Sequence, residues 1–189
     1  MSAILPVRGL TSLQCNVSQL LKQPTGARRI YDVDDASPVL DQTLVVVDSL
    51  RGEVCLLRIG MGILVTGQLA TTVELVCMRC LSQFRLPVRV DIEEVFRPMM
   101  DIGSGRKLEL EPDQEPATLI DERHILDLTE VVRQDLWLGL PTAPACRADC
   151  KGLCPQCGQN CNQGECGCGA DAADARWVAL LVDQSSPVE

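Results

Sequence analysis

The chain has 189 residues, of which 46% are hydrophobic, and its 26 acidic and 17 basic residues give a formal net charge of −9. This composition is ordinary for a globular protein, so global disorder is not expected. No apolar run reaches the roughly 18 residues that a membrane span requires. The first ten residues lack the basic and then apolar pattern of a signal peptide. We therefore expect a cytoplasmic protein that does not contact a membrane.

Aromatic content and charge exclude two classes of nucleic-acid binding. Two Trp, one Tyr and two Phe are too few for a platform that stacks single-stranded bases. A net negative charge argues against broad phosphate binding. The charge is uneven, with +2 on residues 1–90, −8 on residues 91–135 and −3 on residues 136–189. The only histidine, His124, removes most histidine-based acid–base schemes, and we expect it to have a surface or packing role.

The first part of the chain predicts a short helix and then strands. A helix is expected over residues 16–21, where Asn16 and Gln19 would form a capping box. Residues 43–59 are predicted as strand, ending in a glycine-containing turn at 60–62.

Two further segments alternate apolar and polar residues. Residues 63–77 and 85–96 have the period-two pattern of half-buried strands. The apolar faces consist of Ile63, Val65, Leu69, Val73, Leu75 and Cys77 in the first strand and Leu86, Val88, Val90, Ile92 and Phe96 in the second. Sequential strands with short turns predict an antiparallel meander or part of a small barrel.

The acidic middle of the chain predicts a loop followed by a helix. Prolines and glycines among acids in residues 97–122 indicate a long mobile loop. A helix is expected near 127–138, with Asp127 and Glu130 as its capping box. A second short helix over 173–182 would have Trp177, Leu180 and Leu181 as its docking face.

The predicted fold class is therefore α+β. It combines an antiparallel β-sheet or partial barrel, a few short helices and a Cys-rich zinc-knuckle C-terminal segment. We expect a sheet-and-helix domain over 1–142, with its mobile acidic loop at 97–122, and a metal-binding segment with a docking helix over 143–182.

Cysteine usage leaves two classes of protein open. The chain has 11 cysteines, and an odd number without an export signal does not favour a secreted disulfide framework. Clustered cysteines in a reducing compartment are more often metal ligands. The alternatives are a metal-stabilised binding protein and a thiol-based redox protein.

The C-terminal cluster gives the stronger metal signal. Zinc prefers four soft ligands in a tetrahedron, and a C-x-x-C turn presents two thiolates on one side of a loop. Cys154 and Cys157, followed by Gly158, have that form, and Cys166 and Cys168 could supply the other two ligands. Reduced thiols in a flexible tail, or disulfides, are the alternatives.

A second C-x-x-C, formed by Cys77 and Cys80, joins two predicted strands. A redox C-x-x-C uses a helix N-terminus to lower the pKa of a thiol, and that helix is missing here. A zinc knuckle fits the hairpin better, with Cys146 and Cys150 as its missing ligands. Structural thiols and redox chemistry remain alternatives.

An all-cysteine site is closed and structural, so we expect a protein that is not an enzyme. The predicted ligands of one or two structural Zn²⁺ ions are Cys77, Cys80, Cys146, Cys150, Cys154, Cys157, Cys166 and Cys168. Cys15 and Cys55 lie in apolar stretches and are expected in the core. Cys161 has no obvious partner.

Four blocks of this sequence resemble the YceD family, the bacterial and plastid group called large ribosomal RNA subunit accumulation protein. They are VCMRCLSQFRLPVRVDIEEVF, then DLTEVVRQDLWLGLP, then CRADCKGLCPQCGQNCN followed by CGC, and finally DARWVALL. The likeness extends from about Asn16 to Leu181, and its most specific parts are the C-x-R-C at Cys77 and residues 150–158. All eight predicted ligands match family positions. Cys161 stands where the family usually has leucine, which puts a metal role for it in doubt.

The resemblance implies a role in 23S rRNA accumulation, hence in large-subunit assembly, with no enzymatic activity assigned. Some members keep the C-x-R-C and lack the C-terminal ribbon, which favours two separable sites. We expect binding to a large-subunit assembly intermediate, with the acidic stretch 91–135 holding a basic ribosomal protein. Local rRNA contact is expected, if anywhere, at Arg28, Arg29, Arg79, Arg85 and Arg89. The alternative function is a thiol redox protein or redox-switched chaperone using Cys77 and Cys80.

Overall fold

The computed structural model describes residues 13–36, 40–41, 43–109 and 113–168. Its strands are β1 (Gln14–Asn16), β2 (Arg28–Asp35), β3 (Val45–Val46), β4 (Leu50–Ile59), β5 (Gly62–Val76), β6 (Gln83–Pro98), β7 (Leu119–Ile120) and β8 (Ile125–Asp127). Its helices are α1 (Ser18–Leu21) and α2 (Thr129–Gly139), with a 3₁₀ turn at Pro116–Thr118. The predicted helix at 173–182 and its docking face lie outside the described residues. In the described part of the chain, no helix is long and apolar enough to cross a membrane.

The central sheet has the strand order β2-β4-β5-β6-β7. β4, β5 and β6 form the predicted antiparallel meander, and the long β5–β6 hairpin is paired from Ile63 opposite Phe96 to Val76 opposite Gln83. β7 is parallel to β6, and β1 pairs with β8 in a separate two-stranded sheet. Among the described strands no pairing joins β2 to β7, so the sheet is open and does not form a closed barrel.

The core lies on one face of this sheet, and the predicted alternation of β5 and β6 is confirmed. The fully or nearly fully buried residues of these strands include Ile63, Val65, Leu69, Val73, Val88, Val90, Ile92 and Phe96. α2 packs against β6 and buries Val131, Val132 and Leu136. Burial of each such aliphatic side chain contributes about 1.5–3 kcal/mol, so this face supplies much of the folding free energy.

Two cysteines outside the clusters were expected in this core. Cys15 is buried there, and burial raises the pKa of its thiol to about 11. Cys55 is only half-buried, because the alternation of β4 turns Val54 and Leu56 inward and Cys55 to the opposite face.

The strands before residue 60 differ from the prediction. β2 was not predicted, because its charged residues hide the apolar alternation and it forms by pairing along its whole length with β4. The strand predicted over 43–59 is interrupted between β3 and β4. The Thr71 hydroxyl donates to the Asp48 carbonyl oxygen at 2.9 Å, which holds the chain at that break.

Both predicted capping boxes are wrong in detail. The Asn16 carboxamide oxygen accepts from the Ser18 backbone N–H at 3.1 Å, and the Asp127 carboxylate accepts from the Thr129 N–H at 2.8 Å. Each acceptor thus serves the N–H two residues ahead, an Asx turn that leads into the helix. Glu130 is instead paired with an arginine of α2 at 2.6 Å.

The segment predicted as a loop over 97–122 contains a small hairpin. The Leu108 N–H donates to the Met99 carbonyl at 2.9 Å, and the Asp101 N–H donates to the Arg106 carbonyl at 2.8 Å. The 3₁₀ turn and β7 follow, so this segment lies along the end of β6.

Candidate metal centres

The turn of the β5–β6 hairpin forms the first C-x-x-C knuckle. The Leu81 N–H donates to the Cys77 carbonyl at 2.9 Å, and the Cys77 N–H donates to the Ser82 carbonyl at 2.9 Å. These two bonds close the turn and place Cys77 and Cys80 at the end of the sheet.

The C-terminal segment repeats the same turn. The Gly158 N–H donates to the Cys154 carbonyl at 2.9 Å, and the Cys154 N–H donates to the Gln159 carbonyl at 2.8 Å. The residue after the second cysteine has positive φ in both turns, 58° at Leu81 and 74° at Gly158. The two knuckles are therefore built alike, although one joins strands and the other lies in an irregular segment.

Backbone hydrogen bonds dock the C-terminal segment on the hairpin. The Met78 N–H donates to the Pro144 carbonyl at 2.8 Å, and the Leu153 N–H donates to the Arg79 carbonyl at 3.0 Å. Gly152 has a φ of 76°, and a Cβ at this position would lie 3.1 Å from the Arg79 carbonyl oxygen, so glycine permits the close approach.

Arg79 holds this docking with its side chain too. Its guanidinium donates to the carbonyl oxygens of Ala148 and Cys150, each at 3.2 Å. The structure therefore gives Arg79 an internal role in joining the hairpin to the segment that follows α2.

Eight thiols lie in two sets of four, of which the docking assembles the first, while the second lies within the C-terminal segment. In each set the sulfur atoms all lie within 4.8 Å of one another. The first thiol set consists of Cys77, Cys80, Cys146 and Cys150, and the second thiol set consists of Cys154, Cys157, Cys166 and Cys168. These are the same two groups of four thiols that were predicted from the sequence, and the first set draws its thiols from both sides of the predicted boundary at residue 142.

The sulfur spacing suits a tetrahedral ion. In the first set the Sγ atoms of Cys77 and Cys150 are 3.8 Å apart, and those of Cys80 and Cys146 are 3.7 Å apart. Four sulfurs at about 2.3 Å from a zinc ion form a tetrahedron whose edges are roughly 3.8 Å. All eleven cysteines lie within the described residues, and there they are free thiols. Each set could therefore hold a metal ion.

Thiols in both sets are prepared to be thiolates, namely Cys77 and Cys80 in the first set and Cys154 in the second. Backbone N–H groups, first that of Cys146 and then those of Cys80 and Arg79, point to the sulfur of Cys77 and lower its pKa to about 6. At Cys154 the N–H groups of the second knuckle do the same, and its pKa is also about 6. Such N–H donors stabilise the charged sulfur that a metal requires.

Cys146 of the first set and Cys168 of the second set resist a further negative charge. Burial, and then sharing of hydrogen bonds with neighbouring thiols, raises the pKa of Cys146 to about 12. Hydrogen bonding to Cys157, followed by burial, raises the pKa of Cys168 to about 12. A divalent cation would replace these protons, so metal binding and proton release are coupled.

The two sets differ in their access to solvent. Cys77, Cys80 and Cys150 are buried, with Cys77 fully inaccessible, whereas Cys157 of the second set is exposed. A redox C-x-x-C needs an accessible nucleophilic thiol. The burial of Cys77 and Cys80 does not favour the redox alternative.

The other arginines that were predicted to contact rRNA lie far apart on the sheet. Arg28 and Arg29 lie on β2 and Arg85 and Arg89 lie on β6, with two strands between them. The register places Arg29 in the same row as Glu94, about five residues or roughly 17 Å along β6 from Arg89. The described structure therefore does not gather the predicted arginines into one basic patch. The sulfur of Cys161 lies 3.7 Å from the Gln159 carbonyl oxygen, outside both sets.

The fold and the two thiol sets define a β-meander protein with two candidate structural metal centres. Residues 65–182 match the family described as large ribosomal RNA subunit accumulation protein YceD, and the chain belongs to this family. The family resemblance seen in the sequence is thereby confirmed, and at family level it supports a ribosome-related role.

Several mycobacterial proteins are similar to this chain. Uncharacterized proteins of Mycobacterium tuberculosis and Mycobacterium bovis are each 30% identical to it over 88% of this chain and 78% of their own length. An uncharacterized protein of Mycobacterium leprae is 31% identical over 66% of this chain and 54% of its own length. No solved structure matches the chain.

Proposed function

We propose that this protein is a non-catalytic factor in 23S rRNA accumulation and large-subunit assembly, and that each thiol set binds one structural Zn²⁺ ion. The observation that carries this proposal is the presence of two closed four-sulfur sets in a member of an rRNA accumulation family. Four protein sulfurs leave no open coordination position for a substrate or a reactive water. The ions would therefore stabilise a binding surface.

Zinc fits the sulfur donors better than magnesium or calcium does. All-sulfur ligation disfavours magnesium and calcium, which bind oxygen. When bound, Zn²⁺ would supply folding energy to residues 140–168, which have few buried apolar side chains. In the described structure the apolar residues beside the first set are few, namely Phe84, Ala145 and Leu153.

A mainly acidic groove supports the proposal of a basic partner. An open groove lies between β6 and the chain that leads into the 3₁₀ turn, and its charged lining residues are four acids and one base, namely Glu93, Glu94, Asp113, Glu115 and Arg97. Burial raises the pKa of the Glu94 carboxyl, and the nearby charges of Asp135 and Glu115 raise it further. A cationic partner would relieve this repulsion, so a basic ribosomal protein is the favoured direct ligand.

The metal sites would add to the acidity of the protein. Four thiolates with one Zn²⁺ contribute a charge of about −2 per site beyond the formal count. Such a surface repels naked RNA, because RNA binding relies on Lys and Arg that displace counterions. We therefore expect rRNA contact to be confined to local arginines while the protein is bound to an assembly intermediate.

Depletion of the protein in its host tests the assembly role. We expect the ratio of 23S to 16S rRNA to fall and large-subunit precursors to accumulate in sedimentation profiles. Wild-type chain should restore both, while a chain with Cys80→Ser and Cys166→Ser should not. An unchanged rRNA ratio after complete depletion would overturn the proposal.

A further inference from the structure

The chain between Cys157 and Cys166 turns back to the first thiol set. The Asn162 carboxamide donates from Nδ2 to the Cys150 sulfur at 3.3 Å. Its Oδ1 accepts from the Lys151 N–H at 2.9 Å, which fixes the orientation of the carboxamide. A side chain from the second knuckle region thus supports a sulfur of the other set.

Asn160 reaches a second sulfur of the first set by way of Ser82. The Asn160 Nδ2 lies 3.2 Å from the Ser82 hydroxyl oxygen. That hydroxyl hydrogen-bonds the Cys80 sulfur and is the main cause of the lowered pKa of Cys80. The two asparagines are also joined, because Asn162 Nδ2 donates to Asn160 Oδ1 at 2.8 Å.

The asparagines belong to a loop whose two ends are ligands of the second set. The loop, residues 158–165, follows Cys157 and precedes Cys166. The Cys161 N–H donates to the Gly152 carbonyl at 3.0 Å and holds the middle of the loop against the segment between the sets. A metal ion that joins the ends of the loop would remove much of its conformational entropy before the asparagines have to be ordered.

We propose that Asn160 and Asn162 are positioning residues of the first thiol set, and that their loop makes metal binding at the two sets positively cooperative. This inference rests on the proposed metal binding. Hydrogen bonds to ligand atoms from outside the coordination shell typically change metal affinity 10–100-fold. Because coupling is reciprocal, an ion at either set strengthens binding at the other by the same factor.

The difference in exposure between the two sets determines the order in which a chelator removes the two ions. Cys157 is exposed and the first set is largely buried, so a chelator reaches the second set first. Loss of that ion frees the loop and weakens the hydrogen bonds to Cys150 and Cys80. The first ion should then leave faster than it does from the fully loaded protein.

The coupling is measurable in the full chain with Zn²⁺ and a chromogenic competitor. The two-ion binding constant of the wild type is compared with the product of two single-set constants. These come from chains with Cys166→Ser and Cys168→Ser, which retain the first set, and with Cys77→Ser and Cys80→Ser, which retain the second. We expect the wild-type constant to exceed the product 10–100-fold.

Variants of the loop separate the hydrogen bond to sulfur from general loop stability. Asn162→Asp keeps the side-chain acceptor for the donors of Lys151 and Arg147. It loses the donor to Cys150 and to Asn160 Oδ1, which still accepts from the backbone N–H of residue 162. Asn162→Ala loses the side-chain acceptor as well. In each variant the ratio of the two-ion constant to the product of the single-set constants should fall close to unity. Each variant should also shift the thiolate-to-metal absorption of the Co²⁺-loaded first set. Gln163→Ala, an exposed neighbour, is the matched control and should leave the excess and the spectrum unchanged.

The outcomes distinguish the proposed coupling between the two sets from the proposed metal binding on which it rests. The coupling would be overturned if the wild type binds two ions with a two-ion constant equal to the product of the single-set constants. It would also be overturned if the wild-type excess over that product persists in Asn162→Asp. Either result would leave metal binding intact. A wild-type chain that binds no Zn²⁺ or Co²⁺ when fully reduced would overturn both.

Discussion

Leu81 and Gly158 occupy the same position in the two knuckles, and both have the left-handed backbone that normally favours glycine. A non-glycine residue in this conformation is disfavoured by about 1–2 kcal/mol. The Leu81 side chain is 63% exposed, so packing does little to offset that cost.

The backbone of this knuckle predicts an inverted order of stability. Leu81→Gly should be more stable than Leu81→Ala by about 1 kcal/mol, although alanine is usually the more stabilising of the two. Gly158→Ala should lower the free energy of unfolding by about the same amount. A Cβ at residue 158 meets nothing within 4 Å, so only the backbone is strained. Denaturant unfolding of the metal-loaded chains measures both differences. A Leu81→Ala chain as stable as Leu81→Gly would contradict the prediction.

Metal content should be two ions per chain. Reduced protein purified without chelators should contain about two zinc ions by elemental analysis, because there are two complete thiol sets. Cys161→Ser is the matched control and should still bind two, since the Cys161 sulfur belongs to neither set. No zinc in the reduced wild type would refute both sites.

Chelation should unfold the C-terminal segment and leave the sheet. The main core contains none of the eight predicted ligands, and Cys77, Cys80 and Cys150 form a separate buried cluster. A structural zinc contributes about 10 kcal/mol apparent in small modules. Because the main core lies apart from the thiol sets, we expect the sheet to fold without it. We expect the strand signal in circular dichroism to persist after chelation while residues beyond about 144 become sensitive to protease. Cooperative loss of the whole fold would show that the partition is wrong.

A carboxylate anchors the chain before β3 to α2. The Trp137 indole donates to Asp41 at 3.2 Å, and Arg133 lies 3.3 Å from the same oxygen. The Thr43 N–H, followed by its hydroxyl, is the main reason that the pKa of Asp41 lies well below its usual range. The ionised form of Asp41 therefore stabilises the folded state.

This anchor predicts a pH-dependent difference between wild type and Asp41→Asn. A depressed carboxyl pKa contributes stability above the ordinary value of about 4, and that contribution is lost as the pH falls towards the folded-state pKa. The variant should be less stable at neutral pH, and the gap should narrow below about pH 4. Both chains lose metal alike in acid, so the difference isolates the carboxylate. Thermal unfolding from pH 2 to pH 8 measures it, and a gap that does not change with pH would contradict the assignment.

The acidic groove should control association with a basic partner. Glu93→Lys with Glu115→Lys should slow association with purified basic large-subunit proteins about tenfold or more at low salt. The matched control, Asp32→Lys with Glu53→Lys, makes the same change of charge on exposed residues of β2 and β4. Stopped-flow kinetics at several salt concentrations compare the two pairs of substitutions.

Equal slowing of association by both pairs would show that net charge acts without the groove. Tight binding to naked 23S rRNA that neither pair changes would show that the partner class is wrong.

The sequence alone determined the features that depend on local spacing. The period-two pattern of residues 63–77 and 85–96 predicts which side chains of β5 and β6 are buried, because a strand alternates its faces whatever lies around it. The C-x-x-C spacing at Cys77 and at Cys154 predicts the two knuckles, since three residues suffice to close the turn. The pairing of each knuckle with later cysteines followed from counting ligands, and the structure groups the thiols in the same way.

Only the tertiary structure decided the features that depend on a partner distant in the chain. β2 is a strand because it pairs with β4, and its charged sequence has no clear apolar alternation. Arg79 looked like a candidate for rRNA contact, but its guanidinium is used by carbonyl groups about 70 residues further on. Asn160 and Asn162 had no sequence signal beyond their place between cysteines. Their role comes from carboxamides that reach Ser82 and Cys150. The hydrogen bond to Ser82 joins residues 78 apart in the chain, so it forms only after the C-terminal segment has docked on the hairpin.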